Sequence, residues 1–431
     1  MAPEKQPAID SPTYWDEQAL LKEELRQFDV CQGCRLCWNF CPTFPLLFEK
    51  TDAVNAEMSR ITRRDLRAVE DSCYQCKLCY IRCPYIPPHH MAMDVPRLLT
   101  RAKLVNRKKD GVPWQDRVLA DTDGIGKMGG LAAPVANLGN RAAPVRFVLE
   151  KILGVHHKAN LPTFHSRTFA SWFRQNGAGL SQGLPVEAKK VGLFYTCSVN
   201  YNDPAVGIAA AQVLAHNGVR VTAPEQQCCG MPFLDAGALD RAKGKVDANV
   251  RSLAALVRQG HDVVVLSPSC SLTMKKEYPH LSSSEDTQLV ASHTFDISEY
   301  LWKLKVERKL KTDFKNEQFR ARVKSIAYHV PCHIRAQFMG NKAANLMELI
   351  PDMTVHQIEK CSAHDGTWGV KKGSYTLSMR YGQKLFDAMR EVESDLFVSD
   401  CPLASNQIES GTETRPVHPV QVLKEAYGIE P

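Results

Sequence analysis

Two stretches of the chain repeat one cysteine spacing. The first is Cys31-Gln-Gly-Cys34-Arg-Leu-Cys37-Trp-Asn-Phe-Cys41-Pro42, and the second is Cys73-Tyr-Gln-Cys76-Lys-Leu-Cys79-Tyr-Ile-Arg-Cys83-Pro84. Both read C-x2-C-x2-C-x3-C-P. Thiols this dense need a partner, either another thiol or a metal. The opening MAPEKQPAIDSPTYWDEQ has no apolar secretory core, which predicts a chain that no signal peptide exports. A cytoplasmic location follows, where thiols stay reduced and a disulfide framework is disfavoured. Zinc usually takes paired C-x2-C units that close a tetrahedron. Three evenly spaced thiols plus Cys-Pro, occurring twice, fit zinc poorly.

The spacing resembles that of bacterial ferredoxins, in which such a run wraps a [4Fe–4S] cube. In two-cluster ferredoxins the fourth cysteine of each run ligates the other cluster. The resemblance therefore implies crossed ligation. Cys31, Cys34, Cys37 and Cys83 would hold one cube, and Cys73, Cys76, Cys79 and Cys41 the other. The head offers little other apolar core, so crossing would staple its halves together. The gap between the motifs predicts a helix through RITRRDLRAVE.

Eight of the 15 cysteines lie between positions 31 and 83, and the next is Cys197. This gap divides the chain into a cysteine-dense head (1–100), a connector with short helices (101–185) and a larger body (186–431). In the body, short apolar runs alternate with helical periodicity: VGLFYT (191–196), a helix over 204–218, VRVTA (219–223), a helix over 238–260, and DVVVLS (262–267). Such alternation predicts parallel strands in an α/β layer. SIAYHV (325–330) and DLFVSD (395–400) echo the earlier strands, so the body reads as two similar halves, about 190–310 and 325–428. The expected fold is mixed: a small helical two-cluster ferredoxin-like domain, then an α/β body of two similar parallel-sheet halves.

Cysteines follow the strands: Cys197, Cys270, Cys332 and Cys401. Ligands in open α/β sheets sit beyond the carboxyl ends of strands. Cys228-Cys229-Gly230 adds adjacent thiols and a glycine that lets backbone approach a bulky ligand. Cys197, Cys228, Cys229 and Cys270 form a candidate body site for iron–sulfur or metal; a reactive metal-free thiol pair is the alternative.

These residues, with Ser267-Pro-Ser-Cys270 and Val330-Pro-Cys332-His333, resemble the CCG cysteine-rich domain. That domain occurs in heterodisulfide reductase subunits, in the iron–sulfur subunit of anaerobic glycerol-3-phosphate dehydrogenase, and in glycolate and lactate oxidation. The resemblance covers about 30–431 and implies a further iron–sulfur cluster in the body. Heterodisulfide reductases carry two five-cysteine motifs there; here Ser267 replaces one cysteine of the first. The second motif keeps only Cys332, Cys361 and Cys401. Either His364 supplies a fourth ligand, or an iron stays open, or the site is purely structural. The runs Cys83-Pro-Tyr-Ile-Pro-Pro-His89 and Cys361-Ser-Ala-His364-Asp-Gly-Thr resemble a subgroup associated with rubrerythrin-type partners.

Other features constrain function. The chain has no G-x-G-x-x-G opening a helix and no Walker loop, so a separate flavoprotein dehydrogenase should collect the electrons. The expected role is an electron-transfer subunit that feeds the quinone pool. Catalytic disulfide reduction, and electron donation to a rubrerythrin-type partner, are the alternatives. The formal charge of +7 is too weak to argue for nucleic acid. No apolar run reaches the roughly 18–20 residues of a spanning helix. Contact with the inner membrane face would be peripheral, through the basic run Arg97, Arg101, Lys103, Arg107, Lys108, Lys109 or through the amphipathic segment 143–155. A solvated helix face is the preferred reading of the first, and burial against the body that of the second. His329 and His333 flank Cys332, where a hydrogen bond to sulfur or a turn cap is favoured over ligation. His89 and His90 follow the second motif, where tuning of its potential and a partner-facing surface role are equal readings.

Overall fold

The computed structural model describes residues 6–430. The first five residues of the polar amino-terminal stretch, where the 1–100 region begins, lie outside them, as does Pro431 at the end of the 186–431 region. The architecture is mixed α/β with two small parallel sheets. Up to Leu180 every regular element is helical, and the seven strands fall between Lys190 and Ser399.

The head is built on four helices. Asp16 caps the helix Glu17–Cys34, accepting from the Ala19 amide at 2.6 Å. Pro42 opens Thr43–Asp52, and a Thr62/Asp65 capping box opens Arg63–Ser72. Asp94 caps Val95–Asp110. Their inner faces bury Leu20, Phe28, Phe48, Leu66, Leu98 and Leu99 completely or nearly so. Each such side chain contributes about 1.5–3 kcal/mol. The expectation of a head with little apolar core is therefore corrected. The helices flanking the cysteine motifs supply that core, and their periodicity was overshadowed by the cysteines.

One polar group lies inside this core. Arg63 reaches Glu24 at 2.6 Å and Glu70 at 2.8 Å, and both carboxylates are buried. Burial, reinforced by Glu70, pushes the Glu24 carboxyl up to about 9, although Arg63 pulls the other way. A carboxyl raised on folding stabilises below its ordinary value near 4.5, and that contribution fades as pH climbs toward 9. Glu24→Gln keeps the shape and removes the charge. At pH 8 the variant should be more stable than the parent by at least about 1 kcal/mol, with the difference vanishing near pH 4.5. Thermal melts across pH measure this; a less stable variant at pH 8 would refute the upward shift of the Glu24 carboxyl.

In the body, β1 (Lys190–Phe194), β2 (Arg220–Thr222), β3 (His261–Val265) and β4 (Thr294–Asp296) form one sheet in the order β2-β1-β3-β4. β5 (Ser325–His329), β6 (Thr354–Ile358) and β7 (Leu396–Ser399) form the second, in the order β6-β5-β7. All pairings are parallel, with Lys190↔His261 to Phe194↔Val265 across the first sheet and Ile326↔Leu396 to His329↔Ser399 across the second. The central strand of each sheet comes first in its half, with the next two strands flanking it. The two halves thus share one topology, and β4 is an addition to the first. β4 and β6 are short or exposed and carry no strong apolar run, so the strand reading passed over both.

One apolar core joins the halves. Val191, Leu193 and Val264 pack in the same cluster as Ile326, Tyr328 and Val398, closed by the helix Pro419–Tyr427. The opposite face of the first sheet, through Val263 and Val265, packs toward Cys228, Cys229 and Cys270. The thiols therefore belong to a rigid core and not to a mobile surface loop.

Two expectations about the connector region fail. The basic run is not a solvated face. Arg101 is buried and donates to the Thr13 and Tyr14 carbonyls, Arg97 contacts His280, and Arg107 lies against Gly237. Only its last members, Lys108 and Lys109, are exposed. Long stems and a guanidinium fork suit the joint between head and body, where unpaired carbonyls need donors. Conversely, segment 143–155 meets the body only at its end, where Val155 is buried and bridged to Lys371; its apolar helical face is not covered. In the helix Ala143–Leu153 only Arg146 is buried, while Val145, Phe147, Val148 and Ile152 are 41–52% exposed. Arg146 takes the inward position because it binds the carbonyls of His156, His157 and Ala159.

Candidate metal centres

The two head motifs reach similar geometry by different routes. Cys31 and Cys34 sit on the last turn of Glu17–Cys34, where an i, i+3 spacing puts both on one face. Cys73 and Cys76 lie in a loop after Arg63–Ser72. The residue after the second cysteine is left-handed in both, Arg35 at φ 53° and Lys77 at φ 60°. That reversal turns the third cysteine back toward the first two.

Two cavities result. One is lined by Cys31, Cys34, Cys37 and Cys83, with Phe44, Phe48 and Met93 behind them. The other is lined by Cys41, Cys73, Cys76 and Cys79, with Phe40, Phe44 and Leu99. Burial pushes Cys37 and Cys73 up to about 12, with Cys83 and Cys41 respectively adding to the shift. Thiols crowded in this way ionise together only with a strong cationic partner. The donor set, four sulfurs around an apolar-walled space, fits a [4Fe–4S] cube. Gln75 points its amide and backbone N–H at Cys73 Sγ, at 3.6 and 3.5 Å, and so supplies hydrogen bonds to one sulfur.

The first body site gathers Cys197, Cys228, Cys229 and Cys270. Cys228 is in hydrogen-bonding reach of Cys197 and Cys229, and Cys229 of Cys270. Those two neighbours hold Cys228 well below the usual thiol range. The Thr122 side chain lies against Cys197 and Cys228, and the Cys228 N–H donates to Asp123 Oδ2 at 2.8 Å. Lys245 Nζ holds the same oxygen at 2.7 Å. Gly230 has φ 91°, and a Cβ there would come 3.2 Å from the Ala242 carbonyl; only glycine fits both demands. Thr196, before Cys197, is β-branched yet left-handed at φ 60°. Strain of this kind costs about 1–3 kcal/mol and persists where the surroundings over-determine it.

The second body site brings Cys332, Cys361 and Cys401 into mutual influence. It also touches the head. Cys361 lies against Cys76 and 3.5 Å from the Tyr74 hydroxyl, and chiefly the Cys76 contact lowers it to about 7. The degenerate motif is thus the part of the body nearest the second head cavity.

His364 lies next along the chain, with its Nδ1 buried and unpartnered, and burial alone pushes its ring down to about 4. A neutral imidazole with an unused nitrogen could serve as a ligand. The carboxyl that acts on these three thiols is Asp365, whose own value burial, with Asp235 beside it, pushes well up. Sequence reasoning missed Asp365, although it adjoins His364. Thr122 and Asp123 were also missed, because a glycine-rich connector carries no local signal for either.

The flanking histidines are hydrogen-bonded. His329 Nδ1 meets Ser399 Oγ at 3.0 Å. His333 Nδ1 meets Ser269 Oγ at 2.9 Å, and its Nε2 meets the Gln75 carbonyl at 3.1 Å. Burial pushes both rings down to about 4. A neutral His333 donates from Nε2 and accepts at Nδ1, tying together the loops that carry Cys76, Cys270 and Cys332. Lys77 and Glu277 pair at the same joint. The His89 and His90 rings lie 4.2 Å apart, tilted at 33°, with His89 edge-on to Tyr85 and its Nδ1 accepting from the Met91 amide at 3.1 Å.

Residues 24–109 match the family profile described as the citrate utilization protein B Fer4-like domain. Residues 191–275 and 326–409 each match the cysteine-rich domain profile, CCG. One subunit of the anaerobic glycerol-3-phosphate dehydrogenase of Escherichia coli K12, designated C, is 30% identical over 312 residues, covering 72% of this chain and 76% of the relative. One subunit of the fumarate reductase (CoM/CoB) of Methanothermobacter marburgensis, designated B, is 30% identical over 240 residues, 54% of this chain and 44% of the relative. Lactate utilization protein A of Geobacillus kaustophilus is 29% identical over 227 residues, 49% and 87% respectively.

Proposed function

The chain belongs to the family of iron–sulfur electron-transfer subunits of oxidoreductases that includes the matched subunit of anaerobic glycerol-3-phosphate dehydrogenase. On that premise we propose that it receives electrons from a flavoprotein dehydrogenase partner and delivers them to quinone at a membrane surface. The head holds two [4Fe–4S] clusters with crossed ligands, and Cys197, Cys228, Cys229 and Cys270 hold a third cluster. When bound, such clusters supply one-electron donor and acceptor sites along the chain.

The observation that carries the reading is the contact between Cys76 and Cys361, where the second head cavity meets the body. Tyr74 and Cys361 bridge the two parts, and His333 and Lys77 fix their spacing. The first body site then lies one loop further on, through Ser269 and Cys270. The membrane reading is supported by the exposed apolar residues of the connector helices. Among the described residues no helix is long and apolar enough to cross a membrane, so contact would be along the surface.

Anaerobic iron quantification with EPR on the reduced protein tests the cofactor content. About twelve irons are expected; about eight would load the head alone, and zinc or no metal would end the proposal. Reconstitution with the flavoprotein and quinone-containing vesicles tests direction: substrate-dependent quinol formation is expected, and its absence with all clusters loaded would remove quinone as the acceptor.

A further inference from the structure

A cavity of about 890 Å3 lies between the helices Val95–Asp110, Thr122–Leu131 and Met231–Ala236. Its volume is that of a small-molecule site. Trp15, Leu104, Ile125, Met128, Phe233 and Leu239 form an apolar lining. Lys108 and Arg117 stand at the wall, and among the described residues neither has a carboxylate partner; Lys108 lies over the Trp15 ring instead.

Two of the walls begin on the first body site. The helix Thr122–Leu131 starts with Thr122, which lies against Cys228, and Asp123, which accepts from the Cys228 N–H, and its Gly124 and Ile125 line the cavity. The helix Met231–Ala236 follows Cys229-Gly230 directly, and its Phe233 lines the cavity. A ligand here is one helical turn from the cysteines.

The cavity opens onto an unusual surface. Gly126 and Gly129 let the helix Thr122–Leu131 press onto Tyr201 and Phe164, since a Cβ at either would overlap those rings. That face is filled, and the opposite one leaves Met128 and Leu131 at 67% and 91% exposure. Val135 and Leu138 continue the strip on the next helix. Of the fifteen exposed large hydrophobic residues described, ten fall between Trp114 and Ile152, so exposed apolar area is concentrated in the segment that carries this wall, and Val118 and Met128 of them line the cavity itself.

We propose that this cavity binds the ring of an isoprenoid quinone, with its tail running along Met128, Leu131 and Val135 into the membrane surface. The proposal rests on the quinone reading above and gives it a site. A quinone ring is flat and apolar with two carbonyl acceptors, matching a largely apolar slot where Lys108 and Arg117 lack carboxylate partners while Arg107 and Arg241 are paired with Asp116 and Asp121. Two electrons arriving singly from the adjacent iron–sulfur site, and two protons from water at the mouth, convert both carbonyls to hydroxyls. Lys108 and Arg117 stabilise the negative charge that develops on oxygen before the protons arrive.

An azido-labelled short-chain quinone, photolysed with the anaerobic holoprotein, tests the site by peptide mapping. Label is expected on 122–131 and 231–241. Ile125→Glu and Met128→Glu place a carboxylate in the apolar wall and should cut labelling at least about tenfold. Iron content equal to the parent shows that each variant folds, and Val306→Glu, on a distant exposed position, should label like the parent. Label elsewhere, or undiminished in both variants, overturns the site. If the reconstituted system still forms quinol in that case, the acceptor stands and only the location is wrong; if it forms none, both fall.

Discussion

Cys41→Ala is expected to empty the cavity of the second motif although Cys41 belongs to the first. The variant should lose about four irons and keep those held by Cys31, Cys34, Cys37 and Cys83. The reason is chain direction. Pro42 follows Cys41 at once and starts the helix Thr43–Asp52, which carries the backbone away from its own motif. Cys41 is left among Phe40, Tyr74 and Cys73, buried and facing the other set. Cys83→Ala should give the mirror-image loss. Pairwise variants separate the assignments, because changes at one site do not add. Cys41→Ala with Cys73→Ala should lose no more iron than either alone, while Cys41→Ala with Cys31→Ala should lose both clusters. EPR and iron content on the four proteins decide it. If Cys41→Ala instead removes the signal that Cys31→Ala removes, each motif serves its own cube.

Much of this arrangement was legible because cysteine spacing is short-range information. Cys31 to Cys37 and Cys73 to Cys79 fix a turn whatever surrounds them, and the left-handed Arg35 and Lys77 are the backbone form of that repeat. The strands around Val191, Val263 and Ile326 were also legible, since buried parallel strands read as continuous apolar runs. What escaped depends on distance in sequence. Nothing local at Cys361 says that it meets Cys76, 285 positions earlier, and nothing at Thr122 says that it meets Cys197 and Cys228. The segment 143–155 misled for a related reason. Amphipathic periodicity states that one face is apolar, and it does not state what covers that face. Here Arg146 found three carbonyls inward, and the apolar face was left outside.

Cys228→Ser should disconnect the body while leaving the head intact. Cys228 is the thiol of its set that the neighbouring Cys197 and Cys229 hold well below the usual range. A serine hydroxyl in the same place is far harder to ionise, so the site loses its best anionic donor. The neighbouring Asp123–Lys245 pair holds the Cys228 backbone and not its sulfur, so it cannot compensate. About four irons should be lost, and electron delivery from the flavoprotein to quinone should fall by more than about a hundredfold. Reduction of the head by the flavoprotein should persist, since the head cavities share no ligand with this site. Cys229→Ser and Cys270→Ser should behave alike, because their thiols complete the same hydrogen-bonded set. Rapid-mixing spectroscopy separates the two halves of the path: head reduction stays fast and its reoxidation by quinone stops. Full iron content and undiminished delivery in both Cys228→Ser and Cys229→Ser would mean that the body passes electrons without this site, and the head assignment alone would remain.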